Sequence, residues 1–184
     1  MHQDLTGFRP MAGAGGAMRG FALAIATVDV AAAWAIVVSI SVMVALVAAQ
    51  VLMRYVFNAS VSWTDETSRL AFVWSIFLGI PLGIRSGSHI GIAALTARLP
   101  EIPRDTLARA MALLGAVLMG LVAWQSARIA YEQWDELMGA VNMSTGWFML
   151  AVAFGAAHSM LHLAWIVLNG PHEGFDAVNE GGLQ

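Results

Sequence analysis

Four long apolar stretches, each bracketed by charged residues, dominate the hydropathy pattern of this chain. Between Asp29 and Arg54 lie 24 residues without a charge (VAAAWAIVVSISVMVALVAAQVLM). A helix rises about 1.5 Å per residue and the hydrocarbon core is about 30 Å thick, so this run is long enough to cross. Between Arg69 and Arg85 only 15 uncharged residues remain, which is short. Ser62 and Asp65 form an [ST]-x-x-[DE] capping signal ahead of that run, so the predicted helix starts at Ser62 and carries Asp65, Glu66 and Arg69 on its first turns. Arg109 and Arg128 bracket a third uncharged stretch, and after Glu136 no Asp, Glu, Lys or Arg occurs until Glu173. The pattern predicts an all-α membrane protein of four transmembrane helices, at about 30–53, 62–84, 107–130 and 145–168. An N-tail (1–29) and a C-tail (169–184) flank this membrane domain (30–168).

Shorter apolar runs predict interfacial elements. Met18 to Val28 (MRGFALAIATV) is too short to cross and is expected as an interfacial helix leading into the first span. A cleaved signal peptide is the competing reading of the first span, with Arg9 and Arg19 ahead of it as an n-region, but that run far exceeds a signal core and Asp29 precedes it. In the connection from Ser86 to Arg109, Ser-Gly-Ser marks a turn. His89 to Leu99 then places Ile92, Leu95 and Leu99 at helical spacing, predicting a short amphipathic helix on the membrane surface before Pro100 and Pro103. The segment 7–18 and the tail after Pro171 read as disordered by composition.

Composition sharpens this picture. Of 184 residues, 59% are hydrophobic and 11% charged, against roughly 25% charged in soluble domains. Mean hydropathy is +0.71, which excludes a water-soluble monomer. All nine basic residues are Arg and none forms a basic run, so nucleic acid is not an expected partner. The absence of Cys excludes disulfides, thiol catalysis and Cys-ligated metal centres. With four spans, Arg9, Arg19, Arg85, Arg98, Arg104 and Arg109 share one side, against Arg54, Arg69 and Arg128 on the other. This bias predicts cytoplasmic termini. Trp63, Trp134 and Trp147 gather at the opposite boundary, as an aromatic belt does.

Candidate chemistry inside the spans is sparse. Spans one to three hold no ionisable group between their bracketing charges, and span four holds only His158 and His162, four residues apart and hence on one helix face. That spacing suits a metal or, with a second axial ligand from a facing helix, a haem. The plainer reading is a polar seam near the interface or toward a partner. Ser39, Ser41, Gln50, Ser75, Gln125, Ser126 and Ser159 are scattered and do not converge on a transport site. Gly79 and Gly83 make a GxxxG pair around Pro81, read as a close-packing face. Glu132, Asp135 and Glu136 read as a solvated acidic face, lacking a cation-loop pattern. No nucleotide-binding or nucleophile motif occurs. No enzyme activity and no cofactor are expected.

Residues 51–92 (VLMRYVFNASVSWTDETSRLAFVWSIFLGIPLGIRSGSHIGI) carry a more specific signal. Arg54, Tyr55, Phe57 and Asn58 form an entry motif. Trp63, Glu66 and Arg69 open the second span, Trp74 and Gly79 lie within it, and Arg85 and His89 follow. In this order the landmarks resemble the small membrane subunit of TRAP transporters (tripartite ATP-independent periplasmic transporters), the DctQ-like family. Thr67-Ser68 departs from the small or aliphatic residues usual there, and spans three and four match only in pattern.

The resemblance implies a non-catalytic scaffold in a bacterial inner membrane. In such systems a periplasmic binding protein captures an organic acid, and a large membrane subunit carries the substrate and sodium sites and moves as an elevator. The small subunit widens the stationary part, with the large subunit and membrane lipids as its neighbours. Within that reading, Arg69 is expected to pair with Glu66 or Asp65, with Arg54 near the same turn or on lipid phosphate. Trp63 is expected at the interface, and Trp74 and the Gly79 face toward the partner. The competing reading is a haem-binding or structural membrane anchor of a respiratory complex.

Overall fold

The computed structural model describes residues 16–59, 61–85 and 101–169. These form four helices: α1 (Gly16–Val56), α2 (Ser62–Arg85), α3 (Glu101–Glu132) and α4 (Gly146–Asn169). Each is long and apolar enough to cross a membrane, so the chain is an all-α, multi-pass membrane protein. The amphipathic helix expected at 89–99, the tails beyond 169 and before 16, and candidate His89 lie outside the described residues.

Met18 to Val28 is not a separate interfacial element. It continues without a break into α1, whose 41 residues extend for about 60 Å at 1.5 Å per residue, twice the hydrocarbon thickness. The reason is local: no Gly or Pro interrupts the run between Phe21 and Val56. The least exposed positions of α1 (Phe21, Ile25, Asp29, Ala32, Ile36, Ser39, Met43, Leu46 and Gln50) recur every three or four residues, which is one helical face. Asp29 belongs to that face.

The helices alternate in direction. α1 runs along α2, α2 along α4, and α4 along α3, so α4 is central and α1 and α3 are outer. α1 ends at Asn58, whose φ of 50° is left-handed and lets the Ala59 N–H donate to the Met53 carbonyl at 3.0 Å. Asn is one of the few residues that hold this conformation at low cost. Ser144 opens α4, its hydroxyl accepting from the Gly146 N–H at 3.0 Å and thereby satisfying an orphan donor of the first turn.

Small residues set how closely the helices approach. A Cβ on Gly155 of α4 would come within 2.3 Å of the Phe77 carbonyl oxygen on α2, so only glycine permits this backbone contact. On α3, Ala112, Gly115, Ala116, Ser126 and Ala130 are turned from solvent, and a Cβ on Gly115 or Gly120 would press on Leu163 or Met160. Apolar attraction is weak between helices already in lipid, and close backbone approach replaces it. Gly79 and Gly83, the pair singled out by the sequence, have nothing within 4 Å of an added Cβ. Among the described residues, no helix packs against the positions that their side chains would take.

Gly155→Ala is therefore expected to destabilise the α2–α4 contact by about 1–3 kcal/mol, seen as a lower midpoint of thermal unfolding in detergent. Gly79→Ala should leave that midpoint unchanged. Equal shifts for the two would contradict the assignment.

Candidate functional site

The densest polar chemistry lies between the first half of α1 and the second half of α4. His158 and His162 sit one turn apart on the α4 face toward α1. Both direct Nε2 at the same oxygen of Asp29, at 2.9 Å for His158 and 2.8 Å for His162. All three side chains are nearly inaccessible, at 2% for Asp29, 2% for His158 and 4% for His162. An imidazole N–H donating to a carboxylate is charge-assisted and strong for a hydrogen bond. The two rings lie 5.0 Å apart centre to centre. His158 Nδ1 is buried without a hydrogen-bond partner.

Apolar clusters accompany the site. Ile25 and Trp165 are buried together with Phe21 and Leu161 against them, and the Phe21 and Trp165 rings are 5.6 Å apart. A second cluster of Ile84, Ala112 and Leu163 joins α2, α3 and α4. An aromatic chain leads away from His158, from Phe154 to Trp74 to Trp147 to Trp134, each step between 6.0 and 6.4 Å. Trp74 is thus engaged inside the bundle, whereas the sequence reading turned it to a partner.

The sequence reading treated Asp29 as a charge bounding the first span and missed its role. The signal was available: Asp29 follows Ile25 by four residues and precedes Ala32 by three, placing it on the buried face. The three side chains offer two imidazole nitrogens and a carboxylate oxygen, all within 4.8 Å of one another, a donor set a metal ion can use. Both Nε2 atoms face Asp29, so neither ring presents that nitrogen to a haem iron, and the geometry lends the haem reading no support.

The candidates at the start of α2 lie at the opposite end. Arg69 donates to Asp65 at 3.1 Å, a pair well exposed on both sides. Glu66 takes a different partner. It accepts from the backbone N–H groups of Ala140 and Val141 at 2.8 and 3.1 Å, at the tip of the loop joining α3 to α4. That loop is a tight hairpin closed by Met138 N–H to Met143 carbonyl at 2.9 Å and Thr145 N–H to Glu136 carbonyl at 2.8 Å. Glu66 thus fastens the second helix pair to the first. Arg128 pairs with Glu132 at 2.9 Å, while Asp135 and Glu136 are exposed. Arg54, Asn58 and Trp63 are exposed, and Pro81 is fully buried. Arg85 ends α2.

Comparison with known proteins bears on what such an assembly is for. The family model described as tripartite ATP-independent periplasmic transporters, DctQ component, matches residues 43–170. The sialic acid TRAP transporter small permease protein SiaQ of Vibrio cholerae is 27% identical over 122 residues, covering 65% of this chain and 70% of that protein. The C4-dicarboxylate TRAP transporter small permease protein DctQ of Vibrio cholerae is 31% identical over 85 residues, 45% of this chain and 37% of that protein. A Haemophilus influenzae relative of the same small-permease class is 38% identical over 68 residues, 37% of this chain and 42% of that protein. The chain thus spans less than half the length of that relative.

Two outcomes follow from the geometry. Removing Asp29 leaves two buried imidazole N–H groups without their acceptor, so Asp29→Ala should cost about 2–5 kcal/mol in detergent unfolding. Replacing Asp29, His158 and His162 together by Leu should restore much of that loss; a cost equal to the sum of the single changes would refute coupling. At the other end, Glu66→Ala should speed amide exchange at Ala140 and Val141 about tenfold, in line with about 1.4 kcal/mol for hydrogen bonds to a charged acceptor. Arg69→Ala should leave those amides unchanged, as exposed ion pairs contribute about 0–1 kcal/mol.

Proposed function

This chain belongs to the DctQ component family of the tripartite ATP-independent periplasmic transporters and is a small permease subunit of such a transporter, not an enzyme; from that premise we propose that it is the static scaffold for a large permease subunit in sodium-coupled uptake of an organic acid. The observation that carries the reading is the family match across 43–170. Relatives named for sialic acid and C4-dicarboxylate transport support an acid as the substrate.

The architecture supports a passive role. Outer helices α1 and α3 expose broad apolar flanks, including Trp34, Val38, Val44 and Val51 on one and Leu114, Leu118, Leu121 and Trp124 on the other. In water such a surface would drive aggregation; in a bilayer it meets acyl chains or another apolar subunit. The Asp29 cluster is sealed, so it offers a solute no path. Helices cross-braced at both ends, by Asp29 and by Glu66, suit a part that holds still while another moves. The inner membrane, cytoplasmic termini and a periplasmic binding protein working through the complex complete the proposal, the orientation resting on the Arg bias.

Vesicles containing this chain alone should show no uptake of sialic acid or a C4-dicarboxylate under a sodium gradient, whereas vesicles holding it with the co-encoded large permease and its binding protein should accumulate solute. Flux through the chain alone would overturn the scaffold reading. Gly79→Leu should fold normally, since nothing lies within 4 Å of the added carbon, yet reduce recovery of the large subunit on co-purification. Unchanged recovery would remove Gly79 from the proposed contact.

A further inference from the structure

We propose that Asp29, His158 and His162 form a binding site for one divalent transition cation of the zinc type, which cross-links α1 to α4. The proposal concerns the inside of this subunit and is independent of its part in transport.

Three features carry it. The first is the donor set: two imidazoles and one carboxylate suit Zn²⁺ and its surrogate Co²⁺, and do not suit hard cations, which prefer oxygen alone. The second is the placement. Histidines at i and i+4 on one helix face already share an approach direction, and the carboxylate meets them from the facing helix rather than from a neighbouring turn. Their donor atoms all fall within 4.8 Å of one another, and every one of the three side chains is at least 96% buried. Bonds of about 2.0–2.1 Å to a tetrahedral ion place ligand atoms about 3.3 Å apart, a spacing that small side-chain rotations reach from the present 2.8 and 2.9 Å contacts.

The third feature is the state of His158. With its Nε2–H donating to Asp29, its Nδ1 is a bare lone pair, buried and without a partner. No hydrogen bond at Nδ1 fixes the tautomer of this ring, so its proton can sit there and leave the Nε2 lone pair for an ion. Ligation turns the ring over to its other tautomer: the Nε2 lone pair faces the cation, and the proton sits on Nδ1, where metal-bound imidazoles ordinarily carry it. The cation then takes the place of both Nε2–H hydrogens, each ring keeping its proton at Nδ1, and joins by coordination three groups that otherwise meet through hydrogen bonds. Because the three side chains are buried, the ion enters as α1 docks on α4 and resists exchange afterwards.

The test uses the full chain, purified with its co-expressed large permease on a histidine-free affinity tag, from cells grown with added Zn²⁺ or Co²⁺. After washing with a chelator, the wild type should retain about one ion per chain by elemental analysis. The Co²⁺ form should show the visible absorption of a four-coordinate site, the fourth position being taken by water or by the second Asp29 oxygen. Asp29→Asn and His162→Gln should each lower retained metal at least tenfold. If these variants fail to accumulate, X-ray absorption of the wild type decides the location, two imidazole ligands being the expected result. Wild type carrying no more metal than the variants, or none after the chelator, would overturn the site and leave a hydrogen-bonded triad.

Discussion

A carboxylate held inside an apolar helix bundle is the constraint around which this subunit is organised. Asp29 lies within the stretch of α1 that is long and apolar enough to cross a membrane, where an unsatisfied charge is costly. It is tolerable because two imidazoles from α4 converge on one of its oxygens. That convergence fixes more than a local contact. It sets the rotation of α1 about its axis, since Asp29 must face inward. It also sets the height of α1 against α4, since a shift of one turn would carry the carboxylate past both rings. The Phe21–Trp165 contact then follows on the same face two turns earlier.

The remaining contacts are of a different kind. α2 and α4 meet backbone to backbone at Gly155, and α3 lays a face of Ala, Gly and Ser along α4. Such packing is directional only through shape, and in lipid it lacks the solvent-driven attraction that would enforce it in water. Polar fasteners at the two ends supply that specificity. Asp29 ties α1 to α4 at one end; Glu66 ties α2 to the α3–α4 hairpin at the other. Each fastener joins elements from opposite halves of the chain, 129 to 133 residues apart in one case and 74 to 75 in the other.

The number and order of the helices were legible because charges bracket each apolar run, a signal that needs no knowledge of tertiary contacts. The site was less so, for reasons that differ residue by residue. Asp29 looked like a boundary because a charge at the edge of an apolar run usually is one; only its phase with Ile25 and Ala32 betrayed it. Glu66 was matched to Arg69 because local spacing is visible in sequence, whereas its true partners are backbone N–H groups that no side-chain pattern encodes. Gly79 and Gly83 drew attention through their spacing, while Gly155, which makes the closest approach among the described glycines, stands in the plainer small-residue series Ala151, Gly155 and Ser159. Helix packing depends on what faces a small residue, and sequence records only the residue.

The division between sealed interior and open flanks bears on the stationary role proposed for this subunit. A scaffold beside a moving partner must transmit force without yielding at its own helix contacts. Small-residue packing alone resists sliding poorly, because neighbouring ridges offer similar alternative registers. Asp29 removes those alternatives for α1, since each would leave a carboxylate facing hydrocarbon or the imidazoles unpaired. Glu66 does the same for the hairpin at the far end. The exposed faces are left free of ionisable groups across much of their length, so lipid or a partner can slide past them at little cost. Stiffness within and slip without is the mechanical profile that a stationary support requires.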